Sequence, residues 1–203
     1  MDKLGPRHRM CRRVGEALCG RPNCPAHKRP YPPGQHGRGR KRPTEFHMRL
    51  VEKQKLRAIY NVGERQMRNY YNRAASRRGV TGEELLRELE SRLDSIVLRL
   101  GFALTMRQAR QLVSHGHVTV DGKRLDVPSA RVKPGQTIEV VPKARSFVSV
   151  REALEISPEP PSYLYRNKEE HQGTLSRLPE RDEVPLPVQL EERLVVEYYS
   201  PRT

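Results

Sequence analysis

A chain of 203 residues has room for one large or two small domains. With 35% hydrophobic and 31% charged residues, 17 prolines and a mean hydropathy of −0.82, it can build one modest core, and a fully buried doubly wound sheet is excluded. Lys and Arg number 39 against 24 Asp and Glu, a formal net charge of +15 that favours polyanionic partners through the counterions they release.

Taken in chain order, residues 1–45 read as an extended basic arm. The run RPYPPGQHGRG at 29–39 cannot form a regular helix, because proline removes backbone donors and glycine relaxes the chain around it. Helical patterning begins near Phe46. Met67, Tyr70, Tyr71, Ala74 and Ala75 recur at helical spacing as one apolar face, with Arg65, Arg68 and Arg73 turned away and Gly79 as the stop. The tyrosine pairs at 70–71 and 198–199 are expected in the core. A stronger helix is expected from a capping box of Thr81 with Glu84, carrying Leu85, Leu86, Leu89, Leu93, Ile96, Val97 and Leu100 on one face as far as Gly101. A second box, Thr105 with Gln108, opens a short helix buried through Ala109, Leu112 and Val113.

A hairpin follows. Val118 to Val120 alternates apolar and polar residues, and Asp121-Gly122 is the preferred two-residue turn. The turn pair Pro134-Gly135 precedes a strand at 137–141, and Ser149 with Glu152 is expected to cap one more helix through Ile156. Residues 157–193 are acidic and broken by proline, with a short strand near 174–178. LVVEYY at 194–199 reads as a closing strand. There is no internal repeat.

The charge is unevenly placed along these elements. Residues 1–79 hold 21 basic and 5 acidic side chains, 99–145 hold 9 and 3, and 146–203 hold 7 and 11. Two basic stretches suit a polyanion, and the acidic end suits a different neighbour. On the short helix, Arg107, Arg110 and Gln111 occupy the polar side, and the hairpin beyond it carries Lys123 and Arg124. Arginines that grip phosphates in pairs of hydrogen bonds fit an RNA groove read by shape. His115 and His117 flank Gly116 at the turn between them, where phosphate contact or turn packing is expected and a metal pair is not. Tyr31, stranded in the proline-rich basic loop, is the expected stacking residue. Enzymatic motifs find no support: Gly34 and Gly37 sit in coil, and no Gly-rich loop ends in Lys-Ser/Thr.

No apolar run approaches the ~20 residues of a membrane span, and the N-terminus lacks the apolar core of a signal peptide. Cys11, Cys19 and Cys24 are too few and too odd in number for a disulfide framework, and point to a cytoplasmic protein with reduced thiols. Clustered thiols in that setting suggest metal, and three thiolates want a fourth ligand to make a tetrahedral zinc site. His8 gives the spacing His8-x2-Cys11-x7-Cys19-x4-Cys24; His27 is the substitute fourth ligand, and leftover cysteines of a lost site are the alternative to metal.

The run from Ser91 to Val140, SRLDSIVLRLGFALTMRQARQLVSHGHVTVDGKRLDVPSARVKPGQTIEV, resembles the S4 RNA-binding domain. RPYPPGQHG at 29–37, EKQKLRAIY at 52–60, SRRGVTGEELLRELESRLD at 76–94 and LPERDEVPLPVQLEERLVVEYYS at 178–200 narrow the resemblance to the bacterial small-subunit ribosomal protein S4 family. That resemblance implies a structural, primary binder of the 5′ domain of small-subunit rRNA that nucleates assembly. It also implies a place beside ribosomal protein five where messenger RNA enters the ribosome, with influence on translational accuracy. Carried to matching positions, the implied RNA contacts are Arg29, Tyr31, Gln35, His36, Lys53, Lys55, Arg57, Arg107, Arg110, Gln111, His115, Lys123 and Arg124. Some members of the family carry a four-cysteine zinc site in the N-terminal region, and His8 stands here at the position of the first cysteine. Two rivals are a free regulatory RNA-binding protein and an RNA-modifying enzyme that carries the same module; the second would need a catalytic domain larger than 157–203 provides.

The expected fold class is α+β. Residues 46–90 and 146–203 are expected to form a helical lobe with the C-terminal segment packed on it. An inserted small α+β RNA-binding domain of helices and a hairpin spans 91–145, and the basic arm at 1–45 holds the zinc site.

Overall fold

A computed structural model describes residues 8–39, 42 and 44–200, so part of the expected arm, at 1–7, 40, 41 and 43, lies outside the described residues. The chain divides into two compact units, Met1–Leu85 with Leu186–Thr203, and Leu86–Pro185.

In the first unit the arm is less extended than its composition suggests. It carries two short helices, α1 (Arg9–Val14) and α2 (Pro25–Lys28), the second opened by a proline at its first position. Helix α3 (Glu45–Ile59) begins where Thr44 accepts the His47 amide, and α4 (Glu64–Ala75) follows. Met67, Tyr70 and Ala74 of α4 are buried, as the spacing predicts, whereas Ala75 is exposed at the last turn.

Helix α5 (Thr81–Glu90) contains the division between the units. Thr81 is its first helical residue and not its cap, since the Glu84 amide already bonds the Val80 carbonyl. The expected long helix also breaks after Glu90, and α6 (Leu93–Arg99) starts afresh. Arg92 is extended at the break and bridges Arg131, while the Val132 amide donates to the Ser91 carbonyl and the Leu93 amide to the Ala130 carbonyl. Those tertiary bonds outweigh the helical preference of the leucine stripe. Helix α7 (Met106–Ser114) is capped as expected, Thr105 Oγ1 accepting the Gln108 amide at 3.3 Å.

The second unit also holds β1 (Val118–Val120), β2 (Lys123–Arg124), β3 (Thr137–Val140), α8 (Pro142–Arg145), α9 (Val148–Ile156), β4 (Leu164–Asn167), β5 (Gln172–Leu175) and a 3-10 turn at Arg181–Glu183. Asp121 and Gly122 both take positive φ, 50° and 74°, the mirror-image turn expected of this pair. Ser149 lies inside α9, whose N-cap is Phe147, so the expected cap is absent there.

The sheet is antiparallel throughout, ordered β2-β1-β3-β5-β4, with Ile138 opposite both Val120 and Gly173. Its two outer strands correct the expected boundary. Residues 146–185 belong with the RNA-binding-domain unit and not with the helical lobe, because β5 pairs with β3 and brings β4 with it. The core of this unit joins Leu93, Ile96, Val97 and Leu100 to Leu112, Val118, Ile138, Val140, Tyr163 and Leu175.

Residues 194–199 are helical and not a strand. Helix α10 (Glu192–Tyr199) packs on α3, burying Val195, with Arg193 and Glu197 paired one turn apart at 3.0 Å. Packing decides such short apolar runs, which fit either period. Among the described residues no helix is long and apolar enough to cross a membrane.

Candidate nucleic-acid interface and metal centre

The local structure of residues 8–28 gathers four ligand atoms. His8 is the residue before α1, Cys11 sits in that helix, Gly15 ends it with a left-handed φ of 86°, and Cys24 precedes Pro25 of α2. The ligand atoms of His8, Cys11, Cys19 and Cys24 all lie within 4.8 Å of one another. His8 Nδ1 is 3.7 Å from Cys19 Sγ and 3.6 Å from Cys24 Sγ. Zinc bonded at ~2.3 Å to sulfur and ~2.0 Å to nitrogen needs tetrahedral ligands roughly 3.5–3.8 Å apart, so these two separations fit. His27 is exposed on α2 and outside the group. Burial pushes the Cys11 thiol up to about 12, helped by Cys19 and Cys24, and burial also pushes Cys24 up. Thiolates in such a place are stabilised by a cation between them.

The expected RNA contacts separate into two kinds. Arg29, Gln35 and His36 are exposed in the arm. Tyr31 is half-buried, its hydroxyl accepting from Arg38 at 3.2 Å and its ring facing the guanidinium carbons of Arg38 and Arg12 at 4.9 and 5.3 Å. The Arg38 hydrogen bond lowers the Tyr31 hydroxyl from its ordinary range. Arg12 and Arg38 were not singled out from the sequence, because only the folded loop brings them to the ring.

Lys53, Lys55 and Arg57 are placed inside the helical unit. Lys53 and Arg57 reach the same Glu64 oxygen at 2.9 and 2.8 Å, and Lys53 also lies 4.3 Å from the centre of the Tyr198 ring. Lys55 pairs with Glu52 at 2.8 Å and Glu16 at 3.3 Å. Alternating charges on a helix read as a basic face in sequence, but here Glu52 of the same helix, Glu64 of α4 and Glu16 of the loop after α1 pair with them. Arg110 is likewise committed. Its guanidinium gives Asp94 Oδ2 two hydrogen bonds, at 3.1 and 2.7 Å, while Arg92 holds the same carboxylate at 2.9 and 2.6 Å.

What remains is a basic ridge built by α7, the turn after it and the hairpin. Arg107 is half-exposed, and Gln111, His115, Lys123 and Arg124 are exposed. Arg124 Nη2 donates to the His115 carbonyl at 3.3 Å, lying across Gly116. Gly116 has φ +70°, and a Cβ there would come 2.0 Å from Arg124 Nε. Gly116→Ala is therefore expected to displace Arg124 and to cost about 1–2 kcal/mol in the left-handed region, read as a lowered melting temperature together with weaker RNA binding. Unchanged values of both would contradict this placement. Lys143 of α8 joins the ridge unannounced by the sequence. Burial lowers the His117 imidazole, and His115, Lys143 and Arg124 add to it, so His117 stays neutral near pH 7. It packs edge-on against Phe147 at 5.1 Å. His115 is exposed, and His117 takes the packing role expected at this turn.

Comparison with known proteins agrees along nearly the whole chain. Residues 2–90 match the family described as ribosomal protein S4/S9 N-terminal domain, and residues 91–138 match the S4 domain. Small ribosomal subunit protein uS4 of Thermus thermophilus is 48% identical, over 97% of this chain and 98% of that protein. The uS4 of Geobacillus kaustophilus is 51% identical, over 97% of each. That of Dictyoglomus turgidum is 47% identical, over 97% of each. With the two family models matched in order over residues 2–138 and about half of the aligned positions shared over 97% of the chain, the chain belongs to the ribosomal protein S4 family.

Proposed function

We propose that the chain is a structural constituent of the small ribosomal subunit, working in the cytoplasm, that binds small-subunit rRNA and is not an enzyme. The observation that carries this reading is the full-length kinship with uS4 proteins joined to an exposed cationic ridge on the S4-type module. The rRNA 5′ domain is the RNA it binds, and binding it early nucleates subunit assembly. Arg107, Gln111, His115, Lys123 and Arg124 meet its phosphates from the ridge, and Arg29, Tyr31, Gln35 and His36 from the arm. Lys53, Lys55, Arg57 and Arg110 serve by holding the two units in shape.

His8, Cys11, Cys19 and Cys24 hold a structural zinc ion, which supplies the charge that keeps three thiolates together and pins α1 to α2. The acidic segment at 146–203 meets ribosomal protein five, supported by the exposed Val148 and Ile156 beside Glu152 and Glu155 on α9. That neighbourhood lies where messenger RNA enters, and gives the chain its influence on accuracy.

The test is affinity for an isolated 5′-domain transcript at ~0.15 M salt, against equal masses of tRNA and duplex RNA. Arg124→Gln is expected to weaken transcript binding about tenfold, as loss of one well-held phosphate contact does. Arg193→Gln, exposed on α10, is expected to change it by less than about twofold. Equal affinity for all three RNAs would refute the assignment, and equal losses from the two variants would refute the ridge.

A further inference from the structure

The three cysteines beside His8 differ in how far solvent reaches them. Cys11 and Cys24 are each 2% exposed, whereas Cys19 is partly exposed. Local structure accounts for the difference. Cys11 is locked inside α1, and Cys24 is the residue on which α2 begins. Cys19 lies in the irregular stretch between those helices, followed at once by Gly20 with φ +65°. A thiolate on a loop that solvent reaches is the first to meet a small oxidant, while buried structural thiols stay inert.

Cys19 also has a second sulfur within reach. It and Cys24 flank the His8 imidazole, at 3.7 and 3.6 Å from Nδ1. The ligand atoms all lie within 4.8 Å of one another, so the two sulfurs need close by less than about 3 Å to bond at ~2 Å. No helix or strand between α1 and α2 holds the loop open against that movement. Cys11 can approach only by moving a helix. The same helix supports the RNA-facing arm. Arg12, next to Cys11, lies over the Tyr31 ring at 5.3 Å, and a Cβ at Gly15 would stand 3.5 Å from the Pro30 carbonyl oxygen. Whatever unseats α1 therefore frees the loop that carries Arg29, Tyr31, Gln35 and His36.

We propose that Cys19 is a peroxide-reactive modification site whose oxidation ejects the metal and loosens the arm. The inference rests on the zinc reading above and deepens it. The Cys19 thiolate attacks one peroxide oxygen: an S–O bond forms, the O–O bond breaks, and the departing hydroxide takes a proton from water. The Cys24 thiolate then attacks the Cys19 sulfenic acid. An S–S bond forms, the S–O bond breaks, and the second hydroxide is likewise protonated. The two sulfurs together lose two electrons and one hydrogen peroxide becomes two waters. Only His8 and Cys11 are left as ligands, too few to hold zinc in a tetrahedral structural site. Cys11 stays reduced, because the odd number of thiols leaves it no partner, and a dithiol reductant can restore the full set.

The experiment treats the full-length, zinc-loaded protein with hydrogen peroxide beside a chromogenic zinc chelator too weak to strip the metal unaided. One equivalent of zinc is expected to appear together with one disulfide, mapped by peptide mass spectrometry to Cys19 and Cys24. Dimedone, which traps sulfenic acids, should label Cys19 first, and this readout on the wild type depends on no variant. Affinity for the 5′-domain transcript should fall several-fold and return when dithiothreitol and zinc are added back. Cys19→His keeps four ligands of a common set and is expected to slow zinc release at least about tenfold, since its remaining thiols are buried. Cys11→His should release zinc near the wild-type rate. Zinc retained under peroxide, or first labelling at Cys11 or Cys24, would overturn the proposal and leave the zinc reading standing. Zinc released with transcript affinity unchanged would overturn the hold of α1 on the arm. Less than about half an equivalent of zinc before any peroxide would overturn the zinc reading, and this proposal with it.

Discussion

Chelating the metal from the purified protein is expected to release about one equivalent of zinc and to melt residues 8–28 while the S4-type module stays folded. The reason is local. Helix α1 has six residues and α2 has four, lengths at which an isolated helix is unstable in water. Few apolar side chains support them: Cys11, Leu18, Cys24 and Ala26 are the buried apolar residues between positions 8 and 28, and two of those four belong to the proposed ligand set. Zinc at such a site carries most of the local folding energy, on the order of 10 kcal/mol in small zinc-dependent folds. Cys19→Ser is expected to reproduce the effect of the chelator, and His8→Cys to keep or tighten binding, since a fourth thiolate completes a common ligand set. Metal content, thiol reactivity and amide exchange over 8–28 read the outcome. Less than about half an equivalent of zinc, with all three thiols freely reactive, would sink the site.

The second large effect lies in the other unit. Asp94 is 0% exposed and answers two guanidiniums, Arg92 at 2% exposure and Arg110 at 26%. Its amide also bonds the Pro128 carbonyl, so the same residue joins the start of α6, α7 and the loop before Val132. Asp94→Asn keeps the shape and removes the charge, leaving the two arginines in a poorly solvated place without their counter-ion. Breaking one side of a buried pair in this way costs about 3–5 kcal/mol. A unit of this size is stable by only about 5–15 kcal/mol, so a substantial loss of thermal stability is expected, with the ridge residues of α7 losing their alignment. Asp126→Asn, exposed on the loop after β2, is the control and is expected to change stability by less than about 0.5 kcal/mol. Urea denaturation of both variants decides it; equal midpoints would mean that Asp94 does not organise the module.

Much of the S4-type module was legible because its signals are local. Thr105 with Gln108, Asp121-Gly122 and Pro134-Gly135 each specify a turn or cap within four residues, and each appears where the pattern puts it. The misreadings share another cause. The break at Ser91–Arg92, the membership of β5, and through it β4, in the sheet and the helical state of 194–199 all depend on partners from 33 to 148 residues away. A period of apolar residues holds no information about those partners. The same is true of the site. The grouping of His8, Cys11, Cys19 and Cys24 could be read from spacing, as could the exposed Lys123 and Arg124. That Lys53, Lys55, Arg57 and Arg110 are satisfied internally could not, because a carboxylate such as Glu16 or Asp94 announces itself as a partner only after the chain has folded.

The return of α10 to α3 also sets an order on how the protein is made. The unit at Leu86–Pro185 is one uninterrupted stretch and holds all its own strands. The helical unit is assembled from segments on both sides of the second unit, and α10 leaves the synthesising ribosome after every element of that second unit. During translation the second unit can therefore complete itself while the first still waits for its closing helix. A chain arrested near residue 185 would present a finished S4-type module beside helices whose α10-facing side is bare. Protease resistance of such arrested chains should consequently appear in the middle of the sequence before it appears at the beginning.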